Sequence, residues 1–298
     1  MSIPQSQLEA WSHQGSVAQS KNTYAMIKGA LEASNAKYNG CNYSVFLQGS
    51  YGNDTNIYSE SDVDIVICYD GEFFCDLESL PLEQKSAFQS HFSGGNYSYS
   101  DFKSHVLEAL RSAFGSAVVP SKKAYKITGN GSRRDADVVV AFEYKKYFEF
   151  QDSNNQDFST GICFFNADNT RIVNYPKLHS KNLTTKHQET NGNLKPAIRI
   201  FKNMRSKLVE NGLIAKDIAP SYYIEGLLYN VPDDKFFGNY EKVVGNILVW
   251  LYQKPDRTNF LCANEKYYLL RDNNPVCWPC ANGDQFINAT ISLWNNWR

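Results

Sequence analysis

Apolar residues recur every three or four positions in several stretches of the 298-residue chain, which is the pattern of helices that bury one face. The longest stretch predicts one helix over residues 7–36, with Leu8, Ile27 and Leu31 on its apolar face. The other predicted helices cover residues 100–114 (with Ser100 as N-cap), 193–209, 221–229 and 239–252.

Short runs of β-branched and aromatic residues predict strands in the first half of the chain. These runs cover residues 43–47, 63–68, 124–128, 136–143, 161–165 and 171–174, the last two flanking a predicted hairpin turn at Asp168-Asn169. We therefore expect an α+β protein of two lobes. Residues 1–175 would form a mixed-sheet lobe that includes the long N-terminal helix, and residues 176–298 a helical lobe. A cleft between two such lobes is a natural ligand site.

Composition and charge narrow the function classes. The net charge of −1 provides no global basic field of the kind that strong duplex binders carry. Because no signal-peptide or membrane-spanning pattern is present and the seven cysteines form an odd set, we expect a cytoplasmic protein that does not bind membranes. Cys262, Cys277 and Cys280 could supply three of the four ligands of a zinc site, but buried thiols are the preferred interpretation, since all five histidines lie far away in sequence.

Two aspartates, Asp62 and Asp64, open the second predicted strand. Alternate residues of a strand point to the same face, so these carboxylates should project together and repel each other unless a cation lies between them. Mg²⁺ suits the position because it takes oxygen ligands and leaves room for phosphates. A two-metal site needs a third carboxylate, for which Asp137 is the best candidate and Asp135 the competitor. The alternative is that Asp62 is a turn residue and Asp64 a solvated charge.

Candidate phosphate contacts lie on either side of this pair in the sequence. The Gly49-Ser50 turn precedes it, and a glycine turn lets main-chain and hydroxyl groups approach a phosphate closely. Lys195, Arg199 and Lys202 form a stripe on the 193–209 helix, which could either neutralise a triphosphate or be a solvated surface.

A second anion position is the start of the 221–229 helix. Ser221 follows Pro220 there, where the hydroxyl and the main-chain amides favour an anion. Tyr222 could stack on a base, although either Tyr222 or Tyr223 could instead be the buried ring.

Taken together, these segments resemble nucleotidyltransferases of the DNA polymerase β type. More narrowly, they resemble the bacterial CD-NTases, which are related to cyclic GMP–AMP synthase and oligoadenylate synthase. The segments that carry the resemblance are 48–51 (QGSY), 61–66 (SDVDIV), 137–142 (DVVVAF), 198–202 (IRIFK) and 220–222 (PSY).

The resemblance implies a bilobed polymerase β-like fold and a role for each matching residue. Two Mg²⁺ ions, with Mn²⁺ as an alternative, would be held by Asp62, Asp64 and Asp137. Asp137 is preferred over Asp135 because the family's third aspartate directly precedes a strand of this type. Nucleotide contacts would come from Gly49, Ser50, Lys202, Ser221 and Tyr222. His179, in the connection between lobes, would be structural.

The implied reaction joins ATP and other NTPs, GTP among them, into a cyclic di- or trinucleotide with release of pyrophosphate. The expected product contains purines and is most similar to cyclic GMP–AMP, and it would be recognised by a downstream effector in bacterial anti-phage signalling. A regulatory protein or a nucleic acid could activate the enzyme.

Other functions stay open at this point. The chain could be a transferase that modifies RNA or protein, a catalytically inactive nucleotide-binding regulator, or a nucleic-acid sensor. The sensor would need a basic surface, for which residues 122–126 and 133–134 are the candidates.

Overall fold

The computed structural model describes residues 2–15, 17–58, 62–92 and 94–297. The chain forms two compact units. The sheet unit contains residues 18–48 and 62–176, and the helical unit contains residues 1–17, 49–61 and 177–298. Residues 1–17 and 49–61 therefore group with the C-terminal helices, whereas the predicted division at residue 175 assigned them to the sheet lobe. The reason is that these segments are bonded to those helices, as described below.

The sheet unit is built on one mixed sheet. Its strands are β1 (Tyr43–Leu47), β2 (Val63–Asp76), β3 (Val118–Pro120), β4 (Tyr125–Ile127), β5 (Ala136–Asp152), β6 (Asn155–Phe165) and β7 (Arg171–Asn174). The strand order is β1-β2-β5-β4-β3, while β6 also pairs with β5 and β7 with β6. Strands β2 and β5 run parallel and the other neighbours antiparallel. The predicted α+β class with a mixed sheet is confirmed.

Strands β2 and β5 extend well beyond their predicted ends. After a register shift near Tyr69 they continue as partners to Asp76 and Lys146. The extension of β5 contributes Tyr147 and Phe150 to an aromatic cluster that also includes Phe88 of α4 (Leu82–His91), a helix that the periodicity did not predict. The extended parts of β2 and β5 and helix α4 contain both polar and apolar residues, because the small cluster buries only some of their side chains. This irregular pattern is why their extent was not predicted.

Two helices complete the sheet unit. Helix α2 covers Val17–Leu31, and α5 covers Tyr99–Phe114 and buries Phe102, Val106 and Leu110. The hydroxyl of Ser98, rather than the predicted Ser100, caps α5 by accepting a hydrogen bond from the Asp101 amide at 3.0 Å.

The predicted single helix over residues 7–36 is wrong. The chain forms α1 (Gln5–Ser12) and α2 instead, with Gly15 in the described part of the connection. The Gly15 amide donates to the carbonyl of Asn56 at 3.2 Å, and a Cβ on Gly15 would lie 2.7 Å from the main-chain carbonyl carbon of Ile57. Apolar periodicity reports a buried face but cannot report such a close approach of two main-chain segments.

The helical unit packs around α7 (Leu194–Glu210). Its other helices are α1, the short α3 (Gly49–Gly52), α6 (Pro176–Glu189, from Lys177 on), α8 (Ser221–Tyr229), α9 (Tyr240–Gln253) and α10 (Cys280–Asn295). Helices α7, α8 and α9 match their predictions to within one residue at each end, whereas α6 and α10 were not predicted. The shared core contains Ile198, Phe201, Leu227, Ile247 and Phe286. Within the described residues, no helix has the length and apolar character that a membrane crossing requires.

Candidate active site

The three predicted metal ligands lie at one end of the parallel strand pair. Asp64 of β2 and Asp137 of β5 are direct partners in the parallel register, next to the pair Val63 and Ala136. Cross-strand partners project to the same face of a sheet, and Asp62 precedes Asp64 by the two residues that return a side chain to that face. We call Asp62, Asp64 and Asp137 the carboxylate edge.

Negative charge accumulates at the carboxylate edge. Burial raises the pKa of the Asp137 carboxyl above its ordinary value, and the charges of Asp62 and Asp135 raise it further. The ammonium of Lys126, which is the partner of Asp137 on β4, acts in the opposite direction and lowers this pKa. Carboxylates that disfavour each other's ionised form gain from a nearby divalent cation.

The structure separates Asp137 from its competitor Asp135. The Asp135 carboxylate accepts a hydrogen bond from the Gly129 amide at 2.6 Å, and its carbonyl accepts one from Val63 at 3.0 Å. Asp135 therefore closes a loop just before β5, while Asp137 lies within the strand beside Asp64.

A metal ion at the carboxylate edge would have to be bound by Asp62, Asp64 and Asp137. Within the described ranges, no group of three His, Cys, Asp or Glu side chains is close enough together to hold a metal ion. The ligand roles of Asp62, Asp64 and Asp137 therefore stay a prediction. The donors at the carboxylate edge are oxygens alone, a set that fits Mg²⁺ or Mn²⁺ better than softer ions.

The predicted phosphate turn begins with the short helix α3 of the helical unit. Gly49 has φ 62°, a left-handed conformation that glycine adopts at no steric cost. Its carbonyl accepts a hydrogen bond from the Asn53 amide at 3.0 Å, and the carbonyl of Ser50 accepts one from the Thr55 amide at 2.9 Å. Gly49 is exposed and Ser50 half-buried, so both can reach a ligand.

The basic stripe on α7 is buried, which excludes a solvated surface. Lys195, Arg199 and Lys202 are 7%, 9% and 0% exposed. Lys195 donates to the Asp54 carboxylate at 3.1 Å, and Arg199 donates to the carbonyls of Ser12 and Asp54. The stripe therefore binds the chain segments around residues 12 and 54.

A buried carboxylate on α8, Glu225, holds the end of the stripe. Its Oε1 accepts hydrogen bonds from Lys202 Nζ at 3.0 Å and from the Thr55 hydroxyl. Its Oε2 accepts one from Asn53 Nδ2 at 3.0 Å and lies 2.8 Å from His179 Nε2. Burial raises the pKa of the Glu225 carboxyl, but Lys202, His179 and Thr55 outweigh this and hold the pKa well below its usual range. We call these five residues the Glu225 network.

The start of α8 presents the remaining predicted contacts. The Ser221 hydroxyl accepts a hydrogen bond from Arg205 Nη1 at 3.1 Å. The Tyr222 ring stacks on His179 with 4.9 Å between centroids, and the Tyr223 ring stacks on Trp278 at 5.6 Å. Both tyrosines are half-buried, and the buried position of His179 fits the structural role expected for it.

Sequence reasoning missed Asn53, Thr55 and Glu225. One signal for Glu225 was available, because it is the only acidic residue in the otherwise apolar segment SYYIEGLLY. An isolated charge in a buried helix requires a partner of opposite charge. The identity of that partner, Lys202 on another helix, could not be read from the sequence.

Comparison with known proteins agrees with this architecture. Residues 181–295 match the model of the cGAS/DncV-like nucleotidyltransferase C-terminal helical domain. The cyclic UMP-AMP synthase of Rhodothermus marinus is 38% identical over 100% of this chain and 99% of its own. A cyclic nucleotide synthase of Staphylococcus haemolyticus is 36% identical over the full length of both chains.

Two solved structures extend the comparison to the fold. The R. marinus CdnE c-UMP-AMP synthase with Apcpp and Upnpp superposes with a TM-score of 0.89, at 37% identity over 99% of this chain and 97% of that one. The Elizabethkingia meningoseptica CdnE cyclic dinucleotide synthase with GTP and Apcpp has a TM-score of 0.76, at 29% identity over 98% of both chains. The chain therefore belongs to the bacterial CD-NTases, the cGAS/DncV-like nucleotidyltransferases, and is an enzyme of the cyclic oligonucleotide synthase class.

Proposed function

We propose that this enzyme condenses NTPs into a cyclic dinucleotide or trinucleotide, using divalent metal ions held by Asp62, Asp64 and Asp137. The observation that carries the proposal is the parallel register, which makes Asp64 and Asp137 direct neighbours, with Asp62 two residues before Asp64. The NTP analogues named for the two solved relatives support NTPs as substrates. Mg²⁺ at this site would neutralise the triphosphate and favour ionisation of the attacking hydroxyl.

In the proposed reaction, the 2′- or 3′-hydroxyl oxygen of one nucleotide bonds to the α-phosphorus of another. The bond from that phosphorus to the β-phosphate oxygen breaks, pyrophosphate leaves, and the hydroxyl proton is lost to solvent. A second transfer closes the ring of a dinucleotide, and a trinucleotide requires a third. The chain's contribution is to position the reactants and balance their charge, for which the exposed amide of Gly49 and the hydroxyl of Ser50 suit the donor phosphates.

Three further residues enter the proposal from the family resemblance. Ser221 would donate its hydroxyl to the triphosphate and Tyr222 would stack on a base. The resemblance also assigns Lys202 to the triphosphate, but its ammonium is fully buried and hydrogen-bonded to Glu225 and Thr55. In the proposal Lys202 therefore acts by pairing with Glu225 and does not contact the triphosphate.

For the product we propose a purine-containing cyclic nucleotide of the cyclic GMP–AMP kind. The second candidate is cyclic UMP-AMP, favoured by the 38% identity to a synthase named for that product. Other relatives of nearly equal similarity are named for dipurine and dipyrimidine products, at 32% and 34% identity. Base choice therefore has to be measured.

The test is to incubate the purified enzyme with all four NTPs and either Mg²⁺ or Mn²⁺, and to identify phosphatase-resistant products by mass spectrometry. Asp62→Ala/Asp64→Ala is the inactive comparison, and Asp70→Asn, an exposed position on the same strand, is the matched control. A cyclic product that the double variant does not make supports the proposal and names the bases. Products extended on RNA or protein, or activity that survives in the double variant, would overturn it.

We also place this activity in bacterial anti-phage signalling, where an effector would read the product. Expression in phage-challenged cells, beside the Asp62→Ala/Asp64→Ala variant and together with the effector, tests this role. Protection that requires the two aspartates is the expected result, and equal plaque counts with both forms would overturn it.

A further inference from the structure

The Glu225 network surrounds one buried carboxylate with hydrogen-bonding partners. Each oxygen of Glu225 has two polar partners, and the residue is 2% exposed. The positive charge of Lys202 offsets the carboxylate, so the cost of burying either charge alone is reduced. Four directed contacts to one buried carboxylate favour a single geometry for the groups that make them.

Two of these partners belong to the segment that forms the phosphate turn. The side chains of Asn53 and Thr55 donate hydrogen bonds to Glu225. Their main-chain N–H groups donate to the carbonyls of Gly49 and Ser50, respectively. The same two residues thus connect Glu225 to both residues of the turn. Any displacement of Thr55 moves the carbonyl to which it is bonded, and with it the Ser50 hydroxyl.

Neighbouring residues of the segment are fixed independently. The Gly52 carbonyl accepts a hydrogen bond from the Ser180 hydroxyl at 3.2 Å, and Asp54 is held by Lys195 and Arg199. Asp54 has φ 57°, a conformation that a non-glycine residue keeps only when its surroundings enforce it. These polar anchors therefore favour one conformation of the turn.

We propose that Glu225 is a positioning residue, which through Asn53 and Thr55 fixes the Gly49-Ser50 turn in the geometry that receives the donor triphosphate. This inference rests on the proposed function of that turn. A role in stability alone would not require charges, because well-packed apolar residues stabilise a protein interior as well as a buried ion pair does. What the network adds is a fixed direction for each donor, which a binding site needs.

The test separates positioning from stability by means of matched variants. Thr55→Val removes the hydroxyl that Glu225 holds and keeps the volume, while Thr55→Ser keeps the hydroxyl. Glu225→Gln removes the charge with little change of shape. Ile247→Ala, in the core contributed by α9, lowers stability without touching the network. For each variant, kcat and KM for the NTPs and the Kd for a non-hydrolysable ATP analogue with Mg²⁺ are measured below the unfolding transition.

We expect Thr55→Val and Glu225→Gln to raise KM and Kd by about tenfold, the effect of a misplaced hydrogen-bonding group. Thr55→Ser should stay within about twofold of the parent enzyme, and Ile247→Ala should lower Tm but leave Kd unchanged. Unchanged Kd in folded Thr55→Val would overturn the inference, even if Glu225→Gln fails to fold. A loss of affinity in Ile247→Ala as large as in Thr55→Val would also overturn it, since stability would then explain the effect.

The two proposals fail in different ways. If the parent enzyme makes no cyclic product, the proposed function fails whatever the variants do. If the parent enzyme makes product and Thr55→Val binds the ATP analogue equally well, only the role of Glu225 is lost.

Discussion

The carboxylate edge and the Glu225 network treat charge in opposite ways. At the edge, like charges share one face, and the charges of Asp62 and Asp135 raise the pKa of Asp137. In the network, Lys202 and His179 surround Glu225 and depress its pKa. Lys126 partly offsets these like charges and a bound cation would offset them further, whereas both oxygens of Glu225 find their partners within the protein. A protein can thus gather like charges in one region for chemistry and pair opposite charges in another for geometry.

The largest effect is expected from replacing Asp137 in β5, and a much smaller one from replacing Asp135 just before that strand. Asp137→Asn should lower the rate of cyclic product formation by about a thousandfold, because a metal-ligating carboxylate contributes several kcal/mol to the transition state. Asp135→Asn, at the loop that binds Gly129, should change the rate by no more than about threefold. Rates are measured by quantifying product at saturating NTP. Similar losses of rate in both variants would show that the pairing of β2 with β5 does not decide which aspartate is the third metal ligand.

The next prediction concerns the cost of breaking the complete network. Glu225→Ala should lower the free energy of unfolding by about 3–5 kcal/mol, because it leaves the Lys202 ammonium buried and unpaired by that carboxylate. Adding Lys202→Met should recover part of the loss. Asp233→Ala, which breaks the more exposed Lys186 pair, is the control and should cost about 1 kcal/mol or less. Urea denaturation gives all three values, and equal losses for Glu225→Ala and Asp233→Ala would contradict the comparison.

Acid should weaken the network specifically. A carboxyl whose folded pKa lies below its ordinary value of 4.5 stabilises the fold above pH 4.5, and this contribution is lost as the pH falls through the folded pKa. The free energy of unfolding of the parent enzyme should therefore decrease below pH 4.5 more steeply than that of Glu225→Gln. Parallel pH curves for the two proteins, measured by urea denaturation, would show that Glu225 is not stabilised as an anion.

The smallest expected effect is a gain in the free energy of unfolding rather than a loss. In buffer with EDTA, Asp62→Asn should raise the free energy of unfolding by up to about 1 kcal/mol, because it removes a charge that disfavours ionised Asp137. Thermal and urea unfolding measure the change, with Asp70→Asn as the control on the same strand. Destabilisation of Asp62→Asn by more than that amount would show that the contacts of Asp62 stabilise the fold by more than its repulsion of Asp137 costs.

The carboxylate edge was more predictable than the network for a physical reason. Asp62 and Asp64 are two residues apart, so strand geometry alone places them together, and the apolar strand after Asp137 was visible as a pattern. The Thr55–Glu225 bond joins residues 170 positions apart, and no local pattern encodes it. The break near Gly15 was missed likewise, because its cause is the distant main chain at Ile57.

The sequence by itself determined the strands and helices with strong periodicity, the paired aspartates, the glycine turn and the family to which they point. Only the tertiary structure decided that Asp137 rather than Asp135 is the partner of Asp64, because register depends on how two distant strands pair. It also decided that the α7 stripe is buried and that Lys202 pairs with Glu225. Local patterns follow from the geometry of neighbouring residues, whereas burial and charge pairing depend on which distant segments the fold brings together.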